Sequence, residues 1–215
     1  MLKVLVIGLA ALFAGQSSTS LAADGSYAEG EHYRTLARAL PRSAGDDGKV
    51  EVLEFFWYGC PHCYRLEPYL EAWANESMPE NAEFVQVPAA LNPSWKVHAR
   101  AFYVAKSLGV LDTVHGALME AIHVDGKRLD EKQSLSEFFV NQGVDKADFE
   151  KAYDSFAVET GLRRAAFLAE RAGINSVPSV IVAGKYETSV SMAGGHEQLL
   201  EVIDYLVAQE AEDAS

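Results

Sequence analysis

The chain has 215 residues, 49% of them hydrophobic and 10% aromatic, enough for one packed domain or for one domain with a sizeable insertion. A formal net charge of −13, with no basic cluster to interrupt it, repels phosphate backbones and argues against nucleic acid as a partner. Charged residues make up 23%, ordinary for a soluble protein, and cysteine occurs only twice.

Met1 to Ala22 reads as a secretory signal. Lys3 supplies the positive start, Val4 to Ala14 the apolar stretch and Gly15 to Ser20 a small polar one. Ser20-Leu21-Ala22 meets the small-x-small rule, which places the cut after Ala22. The competing reading is a membrane anchor, but about eleven apolar residues fall short of the roughly twenty that span a bilayer. No cysteine stands behind the apolar stretch to carry a lipid. Export places the chain in an oxidising compartment, read as a periplasm, where a lone cysteine pair can rest as a disulfide.

Residues 23 to 48 combine a polar leader (Tyr27 to Arg34), Ala39-Leu40-Pro41 and a loop from Gly45 to Gly48, and predict one short edge strand at most. Val50 to Trp57 predicts a strand buried on both faces, since it is almost continuously apolar and rich in aromatic and β-branched residues. Gly59 ends it, and Cys60 opens a helix with Pro61 at the first helical position, where a missing N–H has no partner to lose. Leu66, Leu70 and Trp73 keep helical spacing, with a kink expected at Pro68. Glu83 to Pro88 is a second short strand.

From Ser94 the apolar period becomes helical. Val97, Ala101, Val104, Ala105 and Leu108 share one face, with Ser94 as expected cap and Gly109 as stop. Val114 to Ile122 predicts a second helix. Ser134-Leu135-Ser136-Glu137 has the capping-box pattern of a third, closed by Gly143. Asp145 caps a fourth, with Phe149, Ala152, Tyr153 and Phe156 facing inward. A further stretch through Leu162, Ala165, Ala166 and Ala169 reaches Gly173, with a break expected at Thr160-Gly161. Strand character returns at Val177 to Val182, turns at Ala183-Gly184-Lys185 and pairs with Tyr186 to Val190. A last amphipathic helix carries Leu199, Leu200, Ile203, Leu206 and Val207, and the acidic tail from Gln209 is expected to fray. The order predicts an α/β fold of the thioredoxin-like type (βαβ…ββα) with a helical domain inserted. The expected division is 23–92 and 160–215 for the frame and 93–159 for the insertion.

Cys60-Pro61-His62-Cys63 is the chemical centre. A structural staple closing so short a loop contributes only about 2 kcal/mol, and a structural zinc site needs four ligands where no second cysteine pair exists. Redox chemistry is the remaining use. Cys60 at a helix start meets unsatisfied N–H groups and the positive dipole end, both of which favour thiolate. His62 either adds a positive charge or donor to that sulfur or is an exposed helical residue without a role. The remaining histidines (His32, His98, His115, His123, His196) read as structural or surface residues. Glu54 lies within an apolar strand, where an unpaired carboxylate is costly to bury. It either faces solvent at a strand edge or sits beneath the cysteines. Pro178 is an unusual residue for a strand, unless it is a trans proline at the first position.

In several stretches the sequence resembles the DsbA family of periplasmic thiol oxidases: Leu53-Glu54-Phe55-Phe56, Cys60-Pro61-His62-Cys63-Tyr64, Phe138-Phe139-Val140-Asn141, Val177-Pro178 and Val182-Ala183-Gly184-Lys185-Tyr186. It departs from that family at Trp57-Tyr58-Gly59 and around Ser189 to Gly195, which bear on partner preference rather than on chemistry. The resemblance implies a redox-active Cys60–Cys63 disulfide with Cys60 as nucleophile, tuned by Pro61 and His62. It also implies Glu54 handling the proton of Cys63, and a cis Val177-Pro178 bond whose backbone receives an extended substrate. Implied partners are reduced, newly exported proteins and a quinone-linked, DsbB-like membrane oxidase; no cofactor or metal is implied, and a monomer is expected. The alternatives are a reductase or isomerase of the same fold, and a chaperone or metal-binding module.

Overall fold

The computed structural model describes residues 27–41 and 48–213. The expected signal with its cut after Ala22, and most of the loop from Gly45 to Gly48, lie outside them. Among the described residues the strands are β1 (Arg34–Thr35), β2 (Val50–Phe56), β3 (Ala82–Pro88), β4 (Ser179–Val182) and β5 (Tyr186–Thr188). The helices are α1 (Pro61–Ala72), α2 (Pro93–Leu108), α3 (Leu111–His123), α4 (Lys132–Asn141), α5 (Lys146–Tyr153), α6 (Phe156–Ala172), α7 (Val190–Ala193) and α8 (His196–Asp213). The strands form one sheet in the order β1-β5-β4-β2-β3, with β2 parallel to β3 and antiparallel to β4. All of β2 but Glu51 is buried, as a strand covered on both faces requires. The predicted α/β, thioredoxin-like architecture is therefore the one found.

The pleat of β2 divides most of it between two cores, and Phe56 at its end joins a third. Val52 faces α1 and α8, among Leu66, Leu70, Leu199 and Ile203. Leu53 and Phe55 face α6, among Ala165, Leu168 and Ala169. A third core lies within the helical block, where Phe102, Leu118, Phe139 and Phe149 meet Val158 and Leu162. Helix α6 thus serves two cores, its first half the helical block and its second half the sheet.

Several local expectations are corrected. Helix α2 is capped by Asn92, whose Oδ1 accepts the Trp95 N–H at 3.0 Å, because Pro93 takes the first helical position and pushes the cap back one residue. Ser94 instead donates its hydroxyl to Asn92 Oδ1. Ser134 is the third residue of α4 rather than its cap: its Oγ accepts the Glu131 N–H at 3.4 Å, so the helix starts a turn early. Asp145 caps α5 as expected. Phe156, expected inside, is 80% exposed, since Ser155 caps a new helix and Phe156 opens it under the Arg163 guanidinium. Strand β4 starts at Ser179 and β5 ends at Thr188, where Ser189 caps α7. Helix α1 runs through Pro68 to Ala72 and widens into a π turn at Trp73–Ser77. The tail does not fray at Gln209; α8 continues to Asp213, and buried Glu210 accepts from Lys185 at 2.6 Å.

The break expected at Thr160-Gly161 is also absent, and Gly161 is there for another reason. A Cβ at that position would lie 2.4 Å from the Tyr103 ring, so glycine lets α2 and α6 approach. In an open helix, alanine for glycine would gain about 1 kcal/mol. Here Gly161→Ala is expected to cost about 1–3 kcal/mol through overpacking, read as a lower denaturant midpoint. An unchanged or raised midpoint would mean that the Tyr103 ring yields freely.

Candidate active site

Strand β2 delivers the chain to the turn Trp57-Tyr58-Gly59 at one end of the sheet. Gly59 is required there, because a Cβ would lie 2.3 Å from the Trp57 ring. That ring stacks on Trp95 at 4.5 Å and is bordered by His98. The Cys60 N–H closes the turn on the Trp57 carbonyl at 2.9 Å.

Cys60 is the cap of α1, and its Sγ accepts the Cys63 N–H at 3.4 Å. Pro61 holds the first helical position as expected. Cys60 is 7% exposed and Cys63 is wholly buried one turn behind it. From the far side, the Val177 carbonyl lies 3.6 Å from Cys60 Sγ, and the Val177–Pro178 bond is cis. Two stretches more than a hundred positions apart in sequence therefore meet at one sulfur. His62 is exposed, and its Nδ1 accepts from Arg65 at 2.8 Å.

The two sulfurs are held in opposite protonation states. The Cys60 thiol is lowered to about 6, chiefly by the hydrogen bond from Cys63. Burial opposes this, while the Cys63 and His62 N–H groups and the His62 ring assist. Cys63 is pushed well above the ordinary thiol range by that same hydrogen bond and by burial, with the Glu54 charge adding to both.

Glu54 settles between its two readings. It has no exposure and lies on the central strand between Gln86 and Val180, so the solvent-facing edge position is ruled out. Its Oε2 accepts from Gln86 Nε2 at 3.1 Å and its Oε1 has no protein partner. Burial, and then the charge of Glu67, raise it to about 8 against the Gln86 hydrogen bond. A carboxyl that titrates near neutrality beside a buried thiol is suited to exchange a proton with it.

The sequence reading missed the residues around this carboxylate. Gln86 on β3 also donates to Glu67 of α1 at 3.1 Å. His115 of α3, read above as structural or surface, contacts Glu67 at 3.0 Å and the Tyr58 hydroxyl at 2.8 Å. His123 donates to the Tyr58 carbonyl at 2.7 Å and stacks on Tyr64. Two signals were available: Glu67 follows Cys63 by one helical turn, and His115 interrupts the apolar face of Val114 and Leu118.

Disulfide exchange is the chemistry that suits such a pair, with one sulfur ionised near the surface and the other kept as a thiol behind it. On this frame it makes the protein a thiol:disulfide oxidoreductase of thioredoxin-like fold. The model of the DSBA-like thioredoxin domain family matches residues 78–205, the part beyond the cysteine pair. Relatives span both parts. The thiol:disulfide interchange protein DsbA of Azotobacter vinelandii is 41% identical over 97% of this chain and 98% of its own length. That of Pseudomonas aeruginosa is 39% identical over 94% and 95%. The crystal structure of Pseudomonas aeruginosa DsbA superposes with a TM-score of 0.81, covering 87% of this chain and 96% of that one, at 39% identity. The DsbA1 oxidoreductase of Neisseria meningitidis gives 0.76 at 27% identity, over 87% and 95%. The chain belongs to the DsbA family.

Proposed function

We propose that the protein oxidises thiol pairs of newly exported, still unfolded proteins by handing them its Cys60–Cys63 disulfide. The observation that carries this is Cys60 Sγ at the cap of α1, where it accepts the Cys63 N–H at 3.4 Å and its thiol is lowered to about 6. Whatever stabilises the thiolate stabilises the reduced protein, and by linkage makes its disulfide the stronger oxidant. A substrate thiolate attacks Cys60 Sγ, the bond to Cys63 breaks, and Cys63 leaves with the electron pair and takes a proton from Glu54. A second substrate thiolate then attacks the substrate sulfur bound to Cys60 and releases Cys60 as thiolate. Two electrons pass from substrate to protein, and one disulfide replaces another. Pro61 and His62 tune the Cys60 sulfur, and the Val177 backbone beside cis Pro178 pairs with the extended substrate.

The compartment is the periplasm, reached through a signal cut after Ala22, and the protein acts as a monomer without a cofactor. Reoxidation falls to a DsbB-like, quinone-linked membrane partner. The inserted helical domain is assigned to 93–159, and its C-terminal boundary falls within the unbroken α6, which serves both the helical block and the sheet. A redox titration against glutathione tests the direction of electron flow. The Cys60–Cys63 couple is expected to be clearly more oxidising than thioredoxin's, which lies at about −270 mV. A value close to thioredoxin's would sink the donor reading in favour of a reductase.

A further inference from the structure

Beneath the cysteines, four elements contribute to one partly buried polar chain: Tyr58 after β2, His115 on α3, Glu67 on α1 and Gln86 on β3, ending at Glu54. Its hydrogens can be assigned by counting donors. The Gln86 nitrogen faces both carboxylates, at 3.1 Å from Glu54 Oε2 and 3.1 Å from Glu67 Oε2, which uses its two hydrogens. None remains for His115 Nε2 at 3.2 Å. That nitrogen is also 3.0 Å from Glu67 Oε1, which only accepts, so Nε2 carries a hydrogen and gives it to Glu67. In the neutral ring Nδ1 then accepts from the Tyr58 hydroxyl, whose burial holds its proton in place. Every donor in the chain points toward the carboxylate pair.

We propose that His115 is a positioning residue of the disulfide exchange. Its Nε2–H offsets the Glu67 charge and holds that carboxylate on Gln86, and so sets how tightly Glu54 keeps the proton it trades with Cys63. This deepens the proposed function and rests on its assignment of Glu54. The titratable groups around His115 are Glu67 and Cys63 on α1, Glu54 on β2, Tyr58 in the turn, His98 on α2 across the Tyr58 ring, and His123 on α3. Glu67 meets solvent in a groove of about 420 Å³ between α1 and α3, so the chain has one wet end.

The sign of each effect follows from Coulomb's law. Without its donor, Glu67 presents more uncompensated negative charge, and Glu54 ionises less readily. Without the Glu67 charge, Glu54 ionises more readily. The test mixes reduced protein with oxidised glutathione. Cys60 takes up one glutathione as a mixed disulfide, then ionised Cys63 attacks Cys60 Sγ and expels it as reduced glutathione. The lifetime of the mixed disulfide is followed against pH by acid quench and mass spectrometry. In the unaltered protein its resolution should quicken with pH through a midpoint that Glu54→Gln abolishes. His115→Leu is expected to raise that midpoint by roughly one pH unit, and Glu67→Gln to lower it by a similar amount. His115→Leu should add nothing in the Glu67→Gln background. His115→Gln, which keeps an N–H donor, should recover most of the shift.

General loss of packing would move both single variants the same way. Shifts of equal sign, or an unmoved midpoint in a folded His115→Leu, overturn the proposal while leaving Glu54 in its role. An unchanged profile in Glu54→Gln overturns the Glu54 assignment and this proposal with it. Should His115→Leu fail to fold, an unmoved midpoint in Glu67→Gln is sufficient to overturn it.

Discussion

Cys60→Ser is expected to lose thiol oxidation completely, with turnover of a reduced two-cysteine peptide falling to the uncatalysed rate. The chain has two cysteine thiols, and only the one capping α1 can be reached; Cys63 has no exposure. Serine can form no disulfide, so the first attack has no target. Cys63→Ser should fail differently. Its Cys60 still ionises, still meets the Val177 carbonyl and still couples to an oxidised partner, but no neighbouring thiol can resolve the adduct. The variant should therefore accumulate mixed disulfides on Cys60, visible as covalent mass additions that a reductant removes. Retained turnover in Cys60→Ser, or adducts on Cys63 in that variant, would show that the reaction enters elsewhere. The two substitutions thus separate reaching the site from completing the exchange.

The parts of this site that could be read in the sequence are those set by local chemistry. Two cysteines after an apolar strand, a proline at the first helical position and a Val-Pro step at a strand start leave signatures within a few residues. The parts that could not are set by register and by packing. Glu54 is silent until β3 is aligned so that Gln86 falls opposite it, and one residue of slip in β3 would turn Gln86 to the other face. His115 gains its role only when α3 crosses α1 at Glu67, which no local pattern encodes. The misplaced caps have a simpler origin. Several residues near each helix start can serve as caps, and the fixed φ of Pro93 decides for Asn92 over Ser94. Gly161 looked like a helix break because its lack of a side chain is useful only beside Tyr103, a residue from another helix.

The redox potential is expected to change its pH dependence at about 6, the value to which the Cys60 thiol is lowered. Below it, reduction adds two electrons and two protons, and the potential should fall by about 59 mV per pH unit; above it, one proton fewer is taken up and the slope should halve to about 30 mV. The same proton governs stability. A depressed thiol favours the folded, reduced form, with the advantage complete above the ordinary thiol value of 9.0 and lost as pH falls through about 6. Reduced protein should accordingly lose denaturant resistance, relative to oxidised protein, as the solution is acidified past that point. Glutathione titrations from about pH 4.5 to about pH 8.5 measure the slopes, the ultraviolet absorbance of the thiolate its ionisation, and denaturant midpoints of the two forms the stability gap. A single slope across that range, or a thiolate that forms only near 9, would remove the low Cys60 proton affinity on which the direction of electron flow rests. A break at about 6 that moves upward in His62→Ala would assign part of the lowering to that side chain. Its ring is the last and weakest of the contributions, behind the Cys63 hydrogen bond and the two backbone N–H groups, so only a small displacement is expected.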